Sequence, residues 1–313
     1  MDDKYNIKLT NGTANIGDVF FNEFDLTWMH GMPKDEKTFT KLPIENILNG
    51  EDDGSIIYNY NQDGFRSDEF SNNHGKYHVL FSGCSQTEGV GGSIDTVWTN
   101  ILHKELKSRG LDVGNFYTLA RSGYGWQKII SQFMIYTKKY GMPTHFFVLM
   151  PNIGRFYLWS EERNNWLYVQ RYPVNTDYNS INVWRKKHDS KEVPEPSQFE
   201  EQKLSIKEHR EKFLDFAIGW NLFSEYCKTN NVKLVWSSWD YAETENLSLI
   251  KNEYFFPLNE RKEIESFISK KRSDLKLEKY DLIRRDGHDG VLWHEYWAEK
   301  FLNKIHERNL FND

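Results

Sequence analysis

From position 77 onward the chain alternates short apolar runs with longer stretches whose apolar residues recur every three or four positions. Tyr77-His78-Val79-Leu80-Phe81 stops at Ser82-Gly83 and predicts a buried strand. Val97, Ile101, Leu102 and Leu106 then share one helical face within 96–109, and Gly110 supplies the stop. The cycle recurs with a strand over 116–119, a helix over 129–140 closed by Gly141 and Pro143, and a strand over 145–150. Farther on, Phe213, Phe216, Trp220, Phe223 and Tyr226 mark the inner face of a helix over 207–230. A fourth strand is predicted over 232–236, and helices over 260–271 and 292–308. Strands alternating with helices predict an α/β fold around a parallel sheet.

Two regions depart from this rhythm. Residues 1–75 are irregular, with strand-like pieces only at Val19-Phe20-Phe21 and Ile56-Ile57-Tyr58. They read as an extension packed on an α/β domain over 76–313. Between 154 and 205 no strand-helix alternation is visible. That stretch holds Trp159, Trp166, Tyr168, Tyr172, Tyr178 and Trp184 and runs into a charged segment over 185–212. It reads as an aromatic-rich insertion at about 155–205, either a lid or sugar-stacking platform or simply packing onto the core.

Composition narrows the function. The 313 residues carry 40 Lys+Arg against 46 Asp+Glu, a net charge of −6, which argues against a nucleic-acid partner. Aromatic residues are 16 % of the chain, with 11 Trp, which argues for a packed core despite modest overall hydrophobicity. Cys84 and Cys227 are too few for a disulfide scaffold. The N-terminus is polar without an apolar signal segment, and no apolar run approaches the roughly 20 residues of a membrane span. The expectation is a cytoplasmic protein with no membrane partner; a virion-associated protein would look the same.

In open parallel sheets, ligands sit at the carboxyl ends of the strands. After the first strand comes Gly83-Cys84-Ser85-Gln86-Thr87-Glu88-Gly89; after the second, Ala120-Arg121-Ser122-Gly123-Tyr124-Gly125. After the third comes Pro151-Asn152-Ile153-Gly154, and near the C-terminus Asp286-Gly287-His288-Asp289-Gly290. Together these supply a hydroxyl, a flexible backbone amide, a side-chain amide and an Asp/His pair, the groups acyl transfer requires.

The first of these segments resembles the G-D-S-x-T-x-G block of the SGNH (GDSL-type) hydrolases. The resemblance spans roughly 60–153 and 207–308 and includes Asn61-Gln62-Asp63-Gly64-Phe65-Arg66, similar to an N-x-x-G-F-R segment of bacterial relatives. It implies a three-layer α/β/α sandwich with a central parallel sheet, flavodoxin-like. It further implies that Ser85 is the nucleophile and that His288 is its base, oriented by Asp286. The Ser85 and Gly123 N–H groups and the Asn152 side chain would form the oxyanion hole. The implied activity is metal-independent, cofactor-free hydrolysis of a small acyl ester, with O-acetyl on a saccharide as the suggested substrate.

Departures from the pattern keep alternatives open. Cys84 replaces the family Asp, Asn152 lacks the flanking Gly and Asp, and the last block is D-x-H rather than D-x-x-H. With strict spacing Arg285 fills the acid position and a Ser–His dyad remains. A degenerate module that binds a glycan or protein, or an acyltransferase using the same residues, therefore stands beside the esterase. Ser85 could instead cap the following helix. Cys84 reads as a buried thiol and His294 as a structural residue or alternative base. Arg155 and Trp159 are candidate substrate contacts, although Arg155, like Arg66, reads more readily as a partner of an exposed carboxylate.

Overall fold

The apolar runs pair with one another as parallel strands. The computed structural model describes residues 58–72, 74–90, 92–153, 155–160, 165–169, 209–239, 250, 255–256, 266–267 and 290–311, together with 38–39. The short strands β1 (Thr38–Phe39) and β2 (Tyr58–Asn59) form an antiparallel pair. Then follow β3 (Val79–Gly83), α1 (Ser85–Glu88), a 3-10 turn over Ile94–Thr96, α2 (Trp98–Ser108) and β4 (Tyr117–Thr118). Helix α3 (Trp126–Tyr140) leads into β5 (His145–Met150), and β6 (Phe156–Ser160) pairs antiparallel with β7 (Asn165–Val169). Helix α4 (His209–Thr229), β8 (Lys233–Ser238) and α5 (Val291–Glu307) complete the described elements.

The central sheet has the order β4-β3-β5-β8, parallel throughout, with Val79 opposite His145 and His145 opposite Lys233. Counted along the chain, its strands lie second-first-third-fourth, the flavodoxin-like order. The direction of winding reverses between β3 and β5, which opens a crevice at the carboxyl ends of those two strands.

Alternate residues of each strand face opposite sides of the sheet, and both sides are buried. Phe81, Phe147, Leu149 and Val235 pack with Trp98 and Leu102 of α2 and with Trp297 and Phe301 of α5. Leu80, Phe146, Val148 and Trp236 pack with Ile129 and Phe133 of α3 and with Phe216 and Trp220 of α4. The protein is thus a three-layer α/β/α sandwich, and the near-continuous apolar character of β3, β5 and β8 follows from burial on both faces. The ring of Trp98 stacks on Phe301 at 4.6 Å between centroids, fastening α2 to α5.

The hairpin β6–β7 lies inside the insertion, where the sequence shows no strand-helix alternation. Its cause is local: two aromatic-rich runs flank the polar residues 161–164, a hairpin pattern rather than a strand-helix one. Val19-Phe20-Phe21 lies outside the described residues, and β2 begins at the last residue of the predicted Ile56–Tyr58 piece. Among the described residues, no helix is long and apolar enough to cross a membrane.

Candidate active site

Strand β3 ends in a turn with no room for a side chain at Gly83. A Cβ there would lie 2.1 Å from Thr87 Oγ1 and 2.8 Å from the Leu149 carbonyl oxygen of β5. The chain passes through extended Cys84, the N-cap of α1, and Ser85 opens the helix. Cys84 makes no side-chain cap hydrogen bond, and its thiol is buried. Ser85 is therefore not the cap that a Ser before a helix suggests; it occupies the first helical position. Its hydroxyl donates to Cys84 Sγ at 3.9 Å, a long sulfur contact. After one turn α1 ends at Gly89, whose φ of +77° is left-handed.

After β4 the chain makes a turn over 121–124, closed by the Tyr124 N–H donating to the Arg121 carbonyl at 3.1 Å. Gly123 is its third residue, with φ +79°, the conformation for which a type II turn selects glycine. Ser122, just before it, donates its N–H to Glu88 Oε2 at 2.6 Å. The turns after β4 and β5 also touch: a Cβ on Gly125 would lie 2.4 Å from the Arg155 carbonyl oxygen. The Arg155 N–H donates to the Asn152 carbonyl at 3.0 Å, so Asn152 begins the turn that follows β5. Ser85, Gly123 and Asn152 thus follow the carboxyl ends of three adjacent strands, β3, β4 and β5.

A buried charged cluster lies directly behind these turns. The Glu88 side chain is fully buried; Oε1 accepts the Tyr60 hydroxyl at 2.9 Å and lies 3.7 Å from Arg121 Nε. Arg121 sits 4.8 Å over the Tyr60 ring and donates to the Gly64 carbonyl. Arg66 donates to the carbonyls of Glu88, Gly89 and Gly92 at 3.2, 2.8 and 3.0 Å. The reading of Arg66 as partner of an exposed carboxylate is thereby corrected. It is buried, and it fastens the end of α1 to the 61–66 segment. Burial raises the Tyr124 phenol well above its ordinary range, with Glu88 adding in the same direction and Arg121 opposing.

Arg155 is buried and sets its guanidinium 5.4 Å over the Trp239 ring. Trp159 lies in β6 in register with Trp166. His294 is fully buried in the joint between α2 and α5, edge-on to Trp297, and its Nδ1 accepts the Trp98 N–H at 3.3 Å. This placement favours its structural reading. Trp98 Nε1 in turn donates to Thr87 Oγ1 at 3.3 Å, linking α5 through α2 to α1. Asp286 and His288 lie outside the described residues, while Gly290 caps α5.

The sequence reading did not single out Glu88, Tyr60 or Arg121. Their partners lie 28 to 57 positions away, and no local periodicity marks them. The one available signal was the juxtaposition of an N-x-x-G-F-R segment with acidic Glu88 at the end of the Ser85 block.

No protein-family model matches the sequence, and no curated protein matches it. Solved structures similar to this chain include an esterase, EstA, from Pseudoalteromonas sp., at 13 % identity and a TM-score of 0.40, covering 76 % of this chain and 100 % of that one. A variant of Axe2, an acetylxylan esterase from Geobacillus stearothermophilus, is 12 % identical with a TM-score of 0.40, covering 75 % and 96 %. A Desulfitobacterium hafniense protein assigned to the G-D-S-L lipolytic family is 13 % identical with a TM-score of 0.29, covering 74 % and 99 %.

Proposed function

We propose that the protein hydrolyses a small acyl ester through a covalent intermediate on Ser85. The observation that carries this reading is the position of Ser85. It opens a helix at the carboxyl end of β3, beside the crevice where the strand order reverses, with the Gly123 and Asn152 turns on the neighbouring strands. An unassisted serine hydroxyl is a poor nucleophile near neutral pH, so a base is required. His288 is the candidate. It precedes Gly290, the N-cap of α5, by two residues in the sequence. The Thr87–Trp98–His294 links hold the start of α5 beside α1.

In the first step Ser85 Oγ bonds to the acyl carbon while His288 takes the hydroxyl proton. The tetrahedral oxyanion is met by the Ser85 and Gly123 N–H groups and the Asn152 amide. The ester C–O bond then breaks, and the alkoxide leaves with the proton from His288. Water repeats the sequence on the acyl-serine, releasing the carboxylic acid and restoring the hydroxyl. Asp286 would orient His288, and Arg155 and Trp159 would contact substrate. The saccharide O-acetyl substrate rests on the motif resemblance and the aromatic-rich stretch.

The test is Ser85→Ala assayed on p-nitrophenyl acetate and on O-acetylated sugars. The proposal expects kcat/KM to fall by at least about a thousandfold with the fold intact. Unchanged turnover refutes it. Product forming faster with an added alcohol than with water identifies an acyltransferase with the same nucleophile.

A further inference from the structure

We infer that Glu88 is a positioning residue that holds the Gly123 turn in register with the Ser85 helix; the inference rests on the acyl-transfer reading above. Glu88 ends the single-turn helix that Ser85 begins, so its side chain leaves the same rigid unit as the nucleophile. One carboxylate oxygen accepts the Ser122 N–H at 2.6 Å; the other accepts the Tyr60 hydroxyl at 2.9 Å. Ser122 and Gly123 are the two central residues of the turn closed between Arg121 and Tyr124. The Glu88 bond anchors the first amide of that turn, and the Tyr124 N–H to Arg121 carbonyl bond that closes the turn limits how far the next peptide, which carries the Gly123 N–H, can rotate. The bond from Ser122 to Glu88 is thus a direct strut between the nucleophile's helix and the turn that would supply an oxyanion donor.

Physical cost supports a specific role. A carboxylate this deeply buried is retained only against a desolvation penalty that an apolar residue of similar volume would not carry. Its distinctive contribution is directional, a charge-assisted acceptor aimed at one backbone N–H. Arg66 and Arg121 brace the strut. Arg66 holds the end of α1 through the Glu88 and Gly89 carbonyls, and Arg121 lies 3.7 Å from the carboxylate and reaches the Gly64 carbonyl. Oxyanion donors act within a few tenths of an ångström of their productive position, so a strut at this joint sets transition-state stabilisation and leaves ground-state binding largely alone.

The experiment measures how fast a fluorophosphonate phosphonylates Ser85, and kcat and KM on p-nitrophenyl acetate, in wild type, Glu88→Ala and Glu88→Gln. Circular dichroism monitors folding. Glu88→Ala is expected to lower the labelling rate and kcat by about a hundredfold with KM nearly constant. Glu88→Gln keeps an acceptor and restores most of the loss, to within about tenfold of wild type. Folded variants labelled at the wild-type rate overturn the inference while leaving Ser85 as nucleophile. If Glu88→Ala fails to fold, Glu88→Leu, which fills the volume without an acceptor, decides: slower labelling at constant KM supports the strut, and wild-type labelling overturns it. Wild-type protein that does not label at Ser85 overturns the acyl-transfer reading itself, and the strut with it.

Discussion

His294 Nδ1 accepts the backbone N–H of Trp98 at 3.3 Å, and so serves the first turn of α2 from the first turn of α5. Val97, the N-cap of α2, makes no side-chain cap bond, so the acceptor comes from another element of the fold. Because Trp98 also reaches Thr87 Oγ1, this bond belongs to the frame that orients the candidate site.

His294→Ala is therefore expected to destabilise the protein by about 2–4 kcal/mol, from a buried cavity and an unsatisfied Trp98 N–H. Urea denaturation measures the loss. The pH–rate profile of the folded variant should keep its wild-type acid limb, since His288 is the proposed base. A vanished acid limb would move the base to His294.

Acid should destabilise the fold through buried histidines. His78 stacks on His74 with ring centroids 3.4 Å apart and places Nε2 2.7 Å from the Tyr136 hydroxyl. Burial first, and His74 second, lower its pKa from 6.5 to about 3, against the opposing effect of the Met142 carbonyl. Burial, chiefly, likewise lowers His103 to about 4. These folded values lie below the unfolded one, so the unfolded chain binds more protons in between. Stability is full above pH 6.5 and falls as the pH drops toward 3–4. The slope reaches about 1.4 kcal/mol per pH unit for each histidine. Urea midpoints at pH 7.5, 6 and 5 should decline, and His78→Gln should flatten the decline. A midpoint that is constant over this range contradicts the assignment.

Gly83→Ala places a methyl group against Thr87 Oγ1 and the Leu149 carbonyl, and the latter belongs to the central sheet and cannot yield. The expected cost is about 1–3 kcal/mol. Because the relief available is movement of α1, Ser85 phosphonylation should slow as well. Wild-type stability and labelling together would show that the turn is not tightly packed.

The sheet was legible because its strands are buried on both faces. Runs such as the one at 145–150 stay apolar without alternation and match β5 residue for residue. Helices α2 and α3 also fall close to their predicted spans, since each turns a periodic apolar face to the sheet. Helix α1 was not legible, because four residues are too few to show a helical period. The β6–β7 hairpin was present in the sequence as two aromatic runs around four polar residues, a pattern without strand-helix alternation. At the candidate site, the positions of Ser85, Gly123 and Asn152 after β3, β4 and β5 were legible because they follow directly from the strand pattern. Glu88 was not, and Arg66 was visible but with the wrong partner, since each acts through backbone groups more than 20 positions away, and only the folded chain brings these together.

The most direct test of the account is intact-mass spectrometry after treatment with a serine-directed fluorophosphonate, followed by peptide mapping. Ser85 Oγ should displace fluoride at phosphorus, its proton passing to the base, and leave one adduct that maps to Ser85. The adduct should be absent in Ser85→Ala and lost in His288→Ala. A folded protein with no adduct, or with an adduct that persists in Ser85→Ala, would contradict the assignment of Ser85 as an activated nucleophile.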